Sequence, residues 1–337
     1  MKPGAALRGT RRLIYCALLV LQACRGRDGT PSGALAAPGA TELFTLSVGY
    51  QRSSWGFLYL THHGSLEARL APLGARVKWL EFTAGPPILE GINVGSVDVA
   101  LVGDAPPVFA QAAHLRFAYA AVEPAKPQAA AIIVRATSPL QTIAALKGKK
   151  VAFQKGSSAH HLLVESLRAA GLDWSDIQPV YLAPPDARAA FEQGGVDAWA
   201  IWDPFYAAAE MQLHARPLTG PPSRFAYRQF LVVRPEFPSL HRAAYETLLA
   251  VVGEAEADIQ RQPAAAAAVL ATDAHVDAQI LARALTRGQF GLQPMSNQVW
   301  DEQQELANLF ADLRLIPKIS DVRAAALDGV GIEAARQ

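Results

Sequence analysis

One phrase occurs twice in this chain. Residues 48–54 read VGYQRSS and residues 151–158 read VAFQKGSS, with valine, an aromatic, glutamine, a basic residue and serine in the same order. An offset of 103 places Val48, Tyr50, Gln51, Arg52 and Ser54 on Val151, Phe153, Gln154, Lys155 and Ser157. An offset of 99 places Ala84, Pro86, Gly95, Val97, Asp98 and Asp104 on Ala183, Pro185, Gly194, Val196, Asp197 and Asp203. α/β units reuse Gly-x-Val-Asp before strands for turn reasons alone. Two segments that keep their order at nearly equal offsets point instead to one plan written twice.

The segments around the phrases alternate in the manner of a parallel α/β sheet. In the first half, strands are expected at 43–50, 75–82, 96–103 and 115–122, with helical patterns at 56–74, 85–95 and 105–114. The second half offers strands at 149–154, 177–183 and 196–202 and helices at 157–171 and 185–195. Strand-like runs at 129–134 and 227–233 bracket this half, as two crossings of a hinge between lobes do. Helical spacing dominates later, over 240–262 and 297–316. The expected organisation is lobe I from 43–130 and 226–320, lobe II from 131–225, and a C-terminal tail at 321–337.

The first residues read as an export signal, 1–23, followed by a Gly/Ala/Pro-rich flexible leader, 24–42. Basic residues up to Arg12 precede the apolar run Leu13–Ala23, which is too short to span a bilayer. Leu21–Cys24 (LQAC) resembles a lipobox, with Cys24 the acylated residue; simple cleavage near Ala34–Ala37 is the alternative, and Thr10–Tyr15 partly matches a twin-arginine signal. The location expected is the periplasm, or an extracytoplasmic anchor if Cys24 is lipidated. Four of the 31 basic residues and none of the 30 acidic ones precede Cys24, so a chain beginning there carries 27 against 30, or −3. No basic stripe suggests nucleic acid. Both cysteines, Cys16 and Cys24, fall in this segment, which leaves no thiol chemistry for the body.

Candidate chemistry gathers where strands turn into helices. The first N–H groups of a helix lack internal partners and favour an anion. Ser157 or Ser158 can cap the helix after 151–154, and Gly156 admits close backbone approach. The same device stands at Gln51–Trp55 and at Gly103–Pro106, where Asp104 can cap and Pro106 suits a first turn. A capped helix with nothing bound explains any one of these loops. Three of them after strands converge on one cleft. Tyr50, Trp55, Phe57, Trp199, Trp202, Phe205 and Tyr227 flank them, a mixture suited to an anionic head and a short apolar tail; Trp199 and Phe57 are expected in the core and Trp202 at the pocket. Nucleotide and hydrolase motifs are missing, so no cofactor and no catalysis are expected. Adjacent helical residues diverge by about 100°, so neither His62–His63 nor His160–His161 chelates a metal. His160 is expected to donate to the ligand, His161 to be a surface or packing residue.

The stretches VGDAPPVFAQAA, KGSSAHHLLVESLRAAGL, DIQPVYLAPPDARAAFEQGGVDAWAIWDPF and FGLQPMSNQVWDEQQELANLFADLRLIPK resemble the aliphatic sulfonate-binding proteins of bacterial ABC importers, within the nitrate/sulfonate/taurine-binding group. The likeness runs from about Leu46 to Lys318. It implies a two-lobed α/β periplasmic-binding-protein fold of class II with the ligand cleft between lobes. It also implies a monomer that delivers an alkanesulfonate to a membrane permease and its ATPase. By that resemblance the head is held by Gln51, the segment Gly103, Asp104, Ala105 and Pro106, and the segment Ser157, Ser158 and His160, with Ser54 and Trp55 in the first loop and Trp202 and Asp203 at the cleft. Thr61, His62 and His63 stand where relatives carry a more basic stretch, and Trp55 and Phe57 make the first loop bulky, which bears on tail preference.

A sulfonate is a monoanion without a proton near neutral pH, so donors alone suit it. A nearby Asp104 or Asp203 would disfavour a protonated oxyanion. Taurine, nitrate or a thiamine-type pyrimidine on the same fold are the alternative ligands, and a sensory module the alternative role. A cysteine-dependent catalytic relative is disfavoured by the thiol-free body.

Overall fold

The computed structural model describes residues 43–274, 276–319 and 321–327. The export segment, the leader and Cys24 lie outside them. The first half lays down β1 (Phe44–Tyr50), α1 (Trp55–His63), α2 (Ser65–Leu70), β2 (Ala75–Glu81), α3 (Gly85–Asn93), β3 (Val99–Gly103), α4 (Ala105–Ala112) and β4 (Ala118–Val122). The second holds β5 (Ala130–Val134), β6 (Lys150–Phe153), α5 (Ser158–Ala169), β7 (Gln178–Tyr181), α6 (Pro184–Glu192), β8 (Ala198–Trp202), α7 (Phe205–Leu213) and β9 (Arg216–Pro217). Then come β10 (Gln229–Val233), α8 (Phe237–Leu240), α9 (Arg242–Arg261), α10 (Pro263–Ala274), α11 (Ala278–Leu285) and α12 (Asn297–Asp312).

Two five-stranded sheets result, ordered β2-β1-β3-β10-β4 and β7-β6-β8-β5-β9. Strand position follows from pattern. β3, β8, β5 and β10 are buried along their whole length, the signature of strands covered on both faces. The edge strand β7 has no fully buried residue. The parallel sheets expected from the alternation are in fact mixed. β10 runs antiparallel between β3 and β4, and β5 antiparallel between β8 and β9. These are the two crossing strands. Each enters its sheet from the other lobe and so arrives against the local direction.

The repeated plan is kept at the level of single hydrogen bonds. Asp98 N–H donates to Ser47 O and Asp197 N–H to Lys150 O, at 2.8 and 2.9 Å. In return the Asp98 and Asp197 carboxylates accept from the N–H groups of the same two residues, at 2.9 and 2.8 Å. Gly95 and Gly194 take the same left-handed turn, φ 76° and 75°. These are the Gly-x-Val-Asp repeats, and the carboxylates stitch β1 to the start of β3 in one lobe and β6 to the start of β8 in the other.

The helical pattern over 56–74 is broken into α1 and α2 at the left-handed Gly64. Helices α9–α11 wrap back over the lobes. Ile259, Ala266, Leu270 and Leu281 form one apolar cluster with Trp55 and Leu58 of α1 and Ala207 of α7. The last described segment packs down as well, with Ala326 bridging to Tyr119 of β4.

Where the chain crosses between lobes, Lys126 pairs with Glu123, and both are buried. Glu256 of α9 lies against this pair, fully buried, with its Oε2 accepting from Gly291 N–H at 2.7 Å. The Oε1 atoms of Glu123 and Glu256 have no other partner, so one proton shared between the carboxyls satisfies both. Burial and then the Glu123 charge raise the Glu256 pKa well above its ordinary 4.5. The folded chain therefore keeps a proton that the unfolded chain has released, and stability falls as pH rises from the ordinary value through the raised one. Glu256→Gln, whose amide donates to Glu123 permanently, is expected to remove this decline and to stabilise by roughly 1 kcal/mol at pH 8. Urea unfolding at pH 5 and pH 8 measures it.

Candidate functional site

The strand ends meet at a small, nearly filled cavity between the lobes, lined by Gln51, Gly85, Gly103, Pro106, Ser157, Ser158, Trp202 and Tyr227. None of these side chains carries a charge. The turns that follow β1 and β3 contribute Gln51, Gly103 and Pro106, and the turn before α3 contributes Gly85. From the other lobe come Ser157 and Ser158 at the start of α5 and Trp202 at the end of β8. Tyr227 belongs to the returning crossing. Burial raises its phenol above the ordinary value of 10, so its O–H remains a donor.

Lobe approach is tightest at Gly103. A Cβ there would stand 2.0 Å from Ser158 Oγ, a separation no two such atoms adopt. Glycine is therefore what lets the start of α5 close onto the end of β3.

The helix starts are not equivalent as donors. Ser157 does not cap α5; its hydroxyl donates back to Gln154 O at 2.7 Å. The first intrahelical bonds of α5 come from His160 and His161 N–H to Ser157 O, so Ser158 keeps its N–H available at the cavity, and Ala159 N–H next to it is free of the helix ladder. At α4 the positions that would donate are Pro106 and Pro107, which lack N–H, and Ala105 N–H is held by Asp104 Oδ1 at 2.8 Å. This side of the cavity is a smooth apolar wall. Gln51 supplies its polar group, with a buried Oε1 that has no partner.

Of the twelve expected contacts, Gln51, Gly103, Pro106, Ser157, Ser158 and Trp202 line the cavity, and six lie elsewhere; among these, Ala105 N–H and the Asp104 carboxylate bond each other instead. Ser54 braces the first loop on β3, donating to Leu101 O and accepting from Gln51 N–H, both at 3.2 Å. Trp55 is buried in the apolar cluster beneath α10 and α11. His160 stacks on Phe153 at 4.9 Å and packs against Phe109, Trp174 and Phe310. Its Nδ1 accepts from Gly156 N–H at 3.3 Å. Burial, with Lys155 and His161 nearby, pushes its pKa down to about 3, so it stays a neutral packing group. Asp203 is gripped by Arg287, whose Nε and Nη2 each donate to it at 2.9 Å. Gly85 is missing from the expectation, Tyr227 is expected only among the flanking aromatics, and His161 is expected as a surface or packing residue. His161 donates from Nδ1 to Asp104 Oδ2 at 2.8 Å.

Beyond Gln51, Gly85 and Trp202 the chain continues into the walls of a larger chamber. It includes Arg52, Glu81, Phe82, Thr83, Pro204, Phe205 and Ile280, and offers about 360 Å³ open to solvent. Phe82, Phe205 and Ile280 make it apolar in part. Arg52 pairs with Glu81 at 3.4 Å and Arg188 with Gln212 at 2.9 Å, while Asp277 caps α11 and Thr83 completes the polar lining.

Comparison with known proteins is consistent with a binding cleft. The profile of the periplasmic substrate-binding protein of phosphonate ABC transporters matches residues 72–275. A protein of Escherichia coli (strain K12) named for binding aliphatic sulfonates is 44% identical over 291 residues, 86% of this chain and 90% of that one. The alkanesulfonate-binding protein SsuA from Xanthomonas axonopodis pv. citri, solved bound to MOPS, superposes with a TM-score of 0.80 at 38% identity, over 85% of this chain and 99% of that chain. The periplasmic aliphatic sulphonate binding protein SsuA from Escherichia coli gives a TM-score of 0.76 at 42% identity, over 87% and 99%.

Asp203 generates a stability prediction. Burial raises its pKa to about 6 even though Arg287 opposes the shift, and Arg287 also reaches Glu210 at 2.7 Å. Arg287→Gln strands a buried carboxylate and is expected to cost about 3–5 kcal/mol near pH 8. The deficit should shrink at pH 5, where Asp203 neutralises itself by taking up a proton. Chemical denaturation at the two pH values reads both effects.

Proposed function

The chain belongs to the periplasmic substrate-binding proteins of ABC transporters, and from that premise we propose that it captures aliphatic sulfonates in the cleft between its lobes. It then delivers them to a membrane permease driven by an ATPase. It works in the periplasm as a monomer, by binding and not by catalysis. The observation that carries this reading is the inner cavity, which offers donors from both lobes and no charged side chain.

That donor set matches the head group. A sulfonate has three acceptor oxygens and no proton, so Ser158 and Ala159 N–H, the serine hydroxyls, the Gln51 amide and the Tyr227 hydroxyl are its proposed partners. A phosphonate near neutral pH is either a dianion or carries a proton. The first lacks a countercharge in this cavity, and the second asks for a carboxylate acceptor, which reverses the expectation that a nearby carboxylate disfavours a protonated oxyanion. Asp104, which follows the lining residue Gly103, is already committed to Ala105 N–H and His161.

The tail extends into the outer chamber, past Trp202 toward Phe82, Phe205 and Ile280. This revises the short tail expected from the aromatics alone, because a chamber of about 360 Å³ accommodates more than two carbons. The MOPS found in the Xanthomonas protein is a sulfonate with a ring-bearing tail of this kind.

Calorimetric titration of the full chain with methane-, ethane-, butane-, hexane- and octanesulfonate, MOPS, taurine, nitrate and ethylphosphonate tests the reading. Each methylene buried in the chamber is expected to tighten binding by up to about four-fold, from about 0.8 kcal/mol per CH₂. Ethylphosphonate should bind at least about ten-fold more weakly than ethanesulfonate, the loss of roughly one charge-assisted hydrogen bond. Gly103→Ala should weaken every sulfonate by at least a similar factor, because its methyl keeps Ser158 away. Tighter binding of the phosphonate, or indifference to tail length, overturns the assignment of head or tail.

A further inference from the structure

Asp104 and His161 belong to opposite lobes. Asp104 starts α4 on the first sheet, and His161 lies in the second turn of α5 on the other. The bond between them is 2.8 Å long, and both side chains are less than a tenth exposed. An ionised carboxylate only accepts, so the imidazole proton sits on Nδ1. Asp104 is fixed from its own side: its Oδ1 holds Ala105 N–H, and its carbonyl accepts from Gln303 Nε2 of α12 at 3.0 Å. Gln303 in turn is anchored by Tyr119 Oη at 2.9 Å. On the other side Phe225 packs edge-on to the His161 ring at 5.0 Å. One rigid acceptor thus meets one rigid donor across the interface.

Helical spacing ties this contact to the ligand cavity. His161 is three residues from Ser158 and four from Ser157, so all three occupy one face of α5. That face meets Gly103 and Asp104, consecutive residues of the opposite lobe. His161 can reach Asp104 only when α5 is seated deeply enough to bring Ser158 against Gly103. The same seating completes the cavity wall.

We propose that His161 is the closure latch of this protein, a positioning residue that bonds Asp104 only in the closed form and thereby holds Ser157 and Ser158 in place over the ligand. The proposal rests on the reading of the cleft as a sulfonate site that works by lobe closure. A ligand first meets the open form, on which the latch is unmade, and leaves from the closed form, on which it is made. Breaking the latch therefore acts on escape and not on capture.

The test compares His161→Phe, which fills the space without a donor, with His161→Asn, whose amide nitrogen stands near the position of Nδ1. Stopped-flow tryptophan fluorescence with hexanesulfonate is expected to show koff rising at least ten-fold in His161→Phe with kon within two-fold of the parent. His161→Asn should recover most of that loss. Small-angle scattering of the full chain should show His161→Phe more expanded than the parent at equal saturation. Unchanged koff in His161→Phe, or a loss of affinity carried by kon in both variants, overturns the latch. If the parent binds no sulfonate, the ligand assignment fails separately and ligand-free scattering decides the latch: expansion in His161→Phe supports it, and identity with the parent overturns it.

Discussion

The architecture depends on how the chain passes twice between its lobes. The two passages are bonded to each other, Glu123 N–H to Gln229 O at 2.8 Å and Lys126 N–H to Tyr227 O at 2.9 Å. Paired strands bend together more readily than they shear, so the lobes are left with essentially one way to approach. The same passages supply β5 and β10, which is why each sheet contains one strand running against the others. Burying Lys126, Glu123 and Glu256 at this point carries a desolvation cost, and a shared proton together with an ion pair offsets it. Every downstream feature, from the seating of α5 to the volume of the inner cavity, inherits the axis set here.

Duplication explains the frame better than it explains the site. The Asp98 and Asp197 stitches are nearly superposable, yet the two copies of the serine turn have taken different work. Ser54 holds its loop onto β3, while Ser157 folds back on Gln154 and leaves the start of α5 with backbone donors to spare. The prolines after Asp104 remove the donors that its helix would have offered. A symmetrical scaffold therefore carries an asymmetrical site, with donors concentrated on one lobe and a smooth wall plus Gln51 on the other.

Much of this was legible in the residues. Val99–Gly103 and Ala198–Trp202 are unbroken apolar runs of strand length, and Pro or Gly marks most helix boundaries, so element positions follow closely. Strand direction did not follow, because the apolar pattern of β10 is the same read either way. The two histidines show a second limit. Their divergence on the helix is plain from adjacency, but which one faces Asp104 depends on helix phase, set by where α5 begins. Ser158 is its first residue, and this turned His161 to the interface and His160 into the aromatic cluster. Trp55 was misplaced for a different reason: α10 and α11, more than two hundred residues later, cover it. Gly85 was invisible because a glycine opening a helix reads as a turn and nothing more.

The absence of formal charge around the inner cavity reaches beyond selectivity. An anion held by a lysine or arginine is competed for by every salt ion in the surroundings, because mobile ions screen exposed charge pairs over about 8–10 Å. An anion held by neutral dipoles in a closed space offers those ions no countercharge to displace. A compartment whose ionic strength follows the external medium is where that difference counts. The proposed site would hold its anion with little dependence on ionic strength, at the cost of forgoing electrostatic steering during capture.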